Sequence, residues 1–141
     1  FNDLISALTS TLLADIDFHC RSDLPLITPL SMLSDSLKDQ LSSKKIFDFG
    51  LGVSPDTFQF QDTFCICPNS LVLSYALAVC VSGGAKSLKL AGFDGYLPGD
   101  PRNDEVERIL DQFSDSSSDF PLYSITPTSY KNLPSRSIYG L

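Results

Sequence analysis

Apolar residues along this chain recur with a helical period in some stretches and cluster in short strand-length runs between them. Leu4, Ile5, Leu8, Leu12, Leu13 and Ile16 mark a first helix, with Asn2 or Asp3 as its cap, in a linking segment that reaches about residue 23. Residues 24–28 are apolar but interrupted by Pro25 and followed by Pro29, which confines them to an edge strand. Leu30, Leu33, Leu37 and Leu41 return to a helical spacing. The run KIFDFGLGV at 45–53 alternates and is rich in aromatic and branched residues, so it predicts a strand, with Gly50 and Gly52 marking a bend or a close approach. Ser54-Pro55-Asp56 turns the chain, and residues 57–60 form a short strand or hairpin arm.

The stretch from 62 to 96, DTFCICPNSLVLSYALAVCVSGGAKSLKLAGFDGY, reads as strand, turn, helix, glycine stop, strand and polar loop. Asn69 or Ser70 caps the helix, and Gly83-Gly84 ends it. Read as a βαβ unit, it places Asp94 and the Pro68-Asn69-Ser70 turn at the carboxyl ends of strands, where open α/β sheets bind ligands. Beyond it, Asp100-Pro101 has the residue types of an N-cap and first helical position. Val106, Ile109, Leu110 and Phe113 then give one apolar face. A serine-rich loop at 114–119, a last strand at 121–126 and an irregular tail complete the chain. The alternation predicts one α/β domain over residues 1–141: a small three-layer, Rossmann-like fold with a mostly parallel sheet.

One feature of the pattern points outward. No charged residue occurs from Asn69 to Ala85, and positions 71–81 are apolar almost all round. A helix flanking a sheet ordinarily keeps a wet polar face. Burial on both sides calls for a second cover: the N-terminal helix, another subunit, or a further domain. The chain starts at Phe1 without a Met, which reads as a piece excised from a longer protein.

Composition narrows the function classes. The formal charge is −7 with 10 Lys and Arg scattered along 141 residues, so no basic face for nucleic acid or an anionic membrane is expected. The apolar 71–81 run is shorter than the ~20 residues a membrane-spanning helix needs. Cys20, Cys65, Cys67 and Cys80 contain no C-x-x-C pair and read as reduced, buried thiols of a cytoplasmic protein. A metal site made of His19, Cys20, Cys65 and Cys67 lacks ligand spacing, and no metal is assigned.

The candidate ligand-binding residues are those at predicted strand ends: Asn69, Ser70, Asp94, Gly95, Gly50, Thr128 and Tyr130. A carboxylate at Asp94 suits a sugar hydroxyl, a ribose or a metal-bound water, although an Asp-Gly turn explains the same residue. Free N–H groups at Asn69 and Ser70 suit an anion, beyond simple capping. Thr126, Thr128, Ser129 and Tyr130 suit carbohydrate or phosphate, or a turn held by hydroxyls. There is no G-x-G-x-x-G or P-loop, and His19, the sole histidine, has no nucleophile elbow to serve. No catalytic residue is assigned.

The segments FDFGLGVSPDTFQFQDTFCICPNSLVLSYALAV, GGAKSLKLAGFDGY, GDPRNDEVERIL and SITPTSY…SIYG carry a resemblance. From about Pro25 onward the chain resembles the C-terminal domain of bacterial aldolase-like proteins of the 4-hydroxy-2-oxovalerate aldolase and homocitrate-synthase kind, associated with lipopolysaccharide and surface-polysaccharide synthesis. More distantly, Gly92, Phe93, Asp94 and Gly95 are similar to a strand end in bacterial sialyltransferase-like domains. The resemblance implies an accessory domain attached to an N-terminal TIM-barrel aldolase, a carbon–carbon lyase that keeps any divalent metal in its barrel, so no cofactor is expected here. It implies as ligand a sugar acid or nucleotide sugar, or docking of a partner domain, with a homo-oligomer as a further possibility. The alternatives are a nucleotide-sugar transferase and a pure oligomerisation module.

Overall fold

The structure is a computed structural model that describes residue 18 and residues 21–137. The helix expected at 4–16, His19 and Cys20 lie outside the described residues. The chain divides at Gly50 into two compact units. It is mixed α/β, with three α-helices, one short 3-10 turn and seven strands of two to four residues among the described residues.

In the first unit, β1 (Leu26–Thr28) pairs in parallel with β2 (Ile46–Asp48), Leu26 opposite Ile46. Between them, the helix expected over Leu30, Leu33, Leu37 and Leu41 is two pieces. A 3-10 turn covers Leu30–Met32, Leu33 is extended, and α1 (Asp35–Gln40) starts afresh. Ser34 makes the break: its side chain accepts from the Leu37 N–H, so it caps a new helix in place of continuing the old one. The 45–53 run is likewise two strands. Phe49 is buried and donates its N–H to the Thr28 carbonyl, after which β3 (Gly50–Val53) belongs to another sheet.

The second unit has a three-stranded sheet in the order β3-β5-β4, with β4 (Gln59–Phe60) antiparallel to β5 (Phe64–Cys67). Cys65 and Cys67 alternate inward, as a period of two requires, and both are fully buried. β5 leads into α2 (Val72–Ser82), which packs on β4 and β5. Its inner face is Ser74, Leu77 and Ala78, all at 0 % exposure. Gly84 ends the helix at φ +75°, a conformation that favours glycine.

The parallel pair in this unit is β6 (Leu88–Leu90) with β7 (Leu122–Ser124), joined through α3 (Pro101–Ser116). Here the structure corrects the expected βαβ unit. The strands flanking α2, β5 and β6, lie in separate sheets, and the paired βαβ runs from 88 to 124. Nor is the sheet structure parallel throughout, because the tight β4–β5 turn, closed by the Gln61 N–H to Phe64 O bond, forces an antiparallel pair.

α3 starts where the sequence indicates. Asp100 caps it by accepting from the Arg102 N–H, and Pro101 fills the first turn. The helix runs to Ser116, three residues into the expected serine loop. It buries Ile109, Leu110 and Phe113. Phe113 meets Phe58, Phe60 and Phe120 edge-on at 5.6, 6.0 and 5.7 Å between ring centres. Leu110 packs instead with Tyr130 and Leu133, so the irregular tail closes the core after β7.

Candidate functional site

Chain segments leaving β6 and β7 at their carboxyl ends meet at one edge of the second unit. The Gly92 N–H donates to Thr126 Oγ1 at 3.0 Å, and the Ser129 N–H donates to the Asp94 carbonyl at 3.0 Å. From the other side Asn103, in the first turn of α3, accepts from the Tyr96 N–H at 2.8 Å. Its amide donates to the carbonyls of Tyr96 and Leu97. The loop is thereby pinned to both the β7 tail and α3, as a binding loop on a rigid scaffold requires. Gly95 sits at φ +104° where an added Cβ would collide with Ser129, so glycine is needed for conformation and for space.

Between these anchors lies a pocket of about 250 Å3 lined by Gly92, Phe93, Gly95, Tyr96, Val106 and Tyr130. Arg102 stacks its guanidinium over the Tyr96 ring at 4.0 Å and clamps Asp100 with Nε and Nη2, at 3.0 and 2.6 Å. The side-chain hydrogen bonds from Arg102, helped by its backbone N–H, hold the Asp100 carboxyl down at about 2. Asp100 in turn raises the Arg102 guanidinium further. Burial pushes the Tyr130 phenol up, so this ring enters the pocket wall as a neutral group.

Of the residues expected at a ligand edge, Asp94, Gly95, Thr128 and Tyr130 are brought together here. Asp94 is exposed, between Phe93 and Gly95 in the chain. Thr128 Oγ1 accepts from the Tyr130 N–H at 3.3 Å, a hydroxyl-held turn that orients the tyrosine. Asn69 and Ser70 are elsewhere, before α2. Neither is the residue preceding the helix, which is Leu71 and has no side-chain cap. Asn69 does the equivalent work, accepting from the Leu71 N–H at 3.1 Å and the Ser74 hydroxyl at 2.8 Å, while Ser70 is exposed. Gly50 opens β3, at the amino end of that strand.

Sequence reasoning missed Tyr96, Arg102 and Asn103. Arg102 and Asn103 read as ordinary first-turn residues of α3, and only the fold of the loop reveals their contact with Tyr96.

The uncharged helix α2 borders a second feature. An apolar groove of about 570 Å3 runs between α2, β6 and α3, with Leu73, Leu77, Leu90, Phe93 and Val106 among its walls. Val72 and Leu97 stand 82 % exposed. Thus α2 is covered on its Ser74, Leu77 and Ala78 face and open along the groove.

The thiols are poor chemistry. Burial, the neighbouring Cys65 and their mutual contact at 3.6 Å push Cys67 up to about 12, and burial raises Cys65 and Cys80. Burial thus favours the neutral thiol over the reactive thiolate at all three positions. Among the described residues no cluster of His, Cys, Asp and Glu forms a metal site, and no helix is long and apolar enough to cross a membrane. Comparisons with protein families, curated proteins and solved structures find no match to this chain.

Proposed function

We propose that the chain is a Rossmann-like accessory domain of a cytoplasmic aldolase-like enzyme of surface-polysaccharide synthesis, and that its 92–96 loop holds the glycosyl group of a nucleotide sugar or sugar acid. In this reading the carbon–carbon lyase chemistry and its divalent metal belong to an N-terminal barrel, and this domain supplies binding. The observation that carries the reading is the pocket walled by Tyr96 and Tyr130, on the loop that also carries Asp94. A sugar ring offers an apolar C–H face to an aromatic ring and hydroxyls that donate to a carboxylate, so this mixture of side chains matches it.

Size agrees. About 250 Å3 falls below the roughly 300–1,000 Å3 of sites that enclose drug-sized ligands, which suits one sugar ring and leaves a nucleotide outside. Arg102 stacks on the Tyr96 ring that helps wall the pocket and keeps Nη1 free of Asp100, a guanidinium for the phosphate or carboxylate of such a ligand. Calorimetric titration with CMP- and UDP-sugars and with sugar acids tests the reading. Binding between about 1 μM and 1 mM is expected, with Tyr96→Ala weakening it about tenfold or more.

A second reading has its own observation. The groove, with exposed Val72 on its wall, is an apolar surface of the kind that marks protein interfaces. It favours oligomerisation through α2. Light scattering decides it: a dimer split by Val72→Glu supports this role, and a monomer at all concentrations removes it.

A further inference from the structure

The second unit holds another polar pocket, separate from the 92–96 loop. It measures about 240 Å3 and is lined by Pro55, Asp56, Pro68, Asn69, Glu105, Arg108, Ile109 and Gln112. Its position follows from the fold. The Ser54-Pro55-Asp56 turn leaves β3 at its carboxyl end, and Pro68-Asn69 leaves β5 at its carboxyl end. Glu105, Arg108, Ile109 and Gln112 are spaced i, i+3, i+4 and i+7 on α3, so they share one helix face. Three elements therefore converge on one crevice at strand ends.

The hydrogen-bond inventory of these side chains is half used. Asp56 Oδ1 accepts from Gln112 Nε2 at 2.6 Å, which leaves Oδ2 as an acceptor and Gln112 Oε1 as another. Asn69 spends its oxygen on Leu71 N–H and Ser74 Oγ, which leaves its NH2 as a donor. Arg108 uses Nε on the Asp104 carbonyl at 3.3 Å, and its terminal nitrogens remain. Two carboxylates against one guanidinium give the pocket a formal charge of −1, which disfavours phosphates and carboxylates. A neutral ligand whose groups both donate and accept meets all of these sites. Adjacent hydroxyls on a sugar ring do so, one donating to a carboxylate oxygen while its own oxygen accepts from an amide or guanidinium.

We propose that the pocket formed by Asp56, Asn69, Glu105, Arg108 and Gln112 binds the vicinal diol of a neutral sugar. This site stands independently of the ligand assigned to the 92–96 loop, because it rests on other residues and on the opposite charge preference.

The test is amide-resolved NMR of the full chain titrated with methyl β-D-ribofuranoside, its 2-deoxy analogue and inorganic phosphate. The diol sugar should shift the amides of Asp56, Asn69 and Gln112, with an affinity around 1 mM. The 2-deoxy analogue should bind about tenfold or more weakly, since it leaves a donor or acceptor unpaired. Asp56→Gly and Arg108→Ala should each weaken the diol response by about tenfold. Asp56 occupies φ +57°, where glycine is at ease, so that variant keeps the turn and removes only the carboxylate. Equal response to the deoxy sugar, a response to phosphate alone, shifts confined to residues 92–96, or no shift at about 50 mM sugar would each overturn the assignment.

Discussion

Gly95 concentrates what single residues contribute to the candidate site. Its φ of +104° strains any side chain, and a Cβ would strike the Ser129 hydroxyl. Ser129 can rotate that hydroxyl away, whereas the backbone cannot relax without releasing the Ser129 N–H from the Asp94 carbonyl. Gly95→Ala should therefore cost about 1–3 kcal/mol in denaturant unfolding, and adding Ser129→Ala should restore only a minor part. Full recovery in the double variant would assign the glycine to space alone. Asp100 makes a pH prediction. Its carboxyl is lowered from 3.8 to about 2, so its contribution to stability is complete above 3.8 and lost as pH falls through about 2. A side-chain NMR titration should find that midpoint in the folded chain and a higher one, still below the ordinary value, in Arg102→Ala, which keeps the backbone N–H of residue 102. The Asp100-Pro101 helix start was legible in the sequence because a cap is a local device. The Arg102–Tyr96 stack was not, because the five residues between them decide whether the two meet.

At the level of elements, the helices were easier to read than the strands. α3 was legible from its cap and its Val106, Ile109, Leu110 and Phe113 spacing, and α2 from its glycine stop. Where two local signals competed, the stronger hydrogen bond prevailed. Ser34 started a new helix within the Leu30-to-Leu41 pattern by bonding the Leu37 N–H. At Phe49 the KIFDFGLGV run changed sheets, which an alternating pattern gives no means of marking. β5 and β6 were read as partners because a helix joins them. Pairing is set by distant chain, and β6 took β7 instead. α3 owes its place to Phe113, wedged among Phe58, Phe60 and Phe120. Phe113→Ala should destabilise the fold by about 3–5 kcal/mol, and Phe113→Leu by clearly less, measured by thermal or chemical unfolding. Equal losses would show that the ring contacts, and not the volume that leucine largely keeps, hold the helix in place.

For the whole molecule, the α/β class was visible in the alternation of periods, but the number of sheets was not. Strands of two to four residues carry too few side chains to specify their neighbours. Of the candidate ligand residues, those after β6 and β7 converge on one pocket, and Asn69 belongs to another. The central claim is that the 92–96 loop holds a glycosyl group. The most direct measurement is the amide spectrum of the full chain titrated with a CMP- or UDP-sugar. The account predicts saturable shifts at Gly92, Gly95, Tyr96 and Tyr130 that vanish in Tyr96→Ala. No shift at these residues at millimolar ligand, or unchanged shifts in Tyr96→Ala, would contradict it.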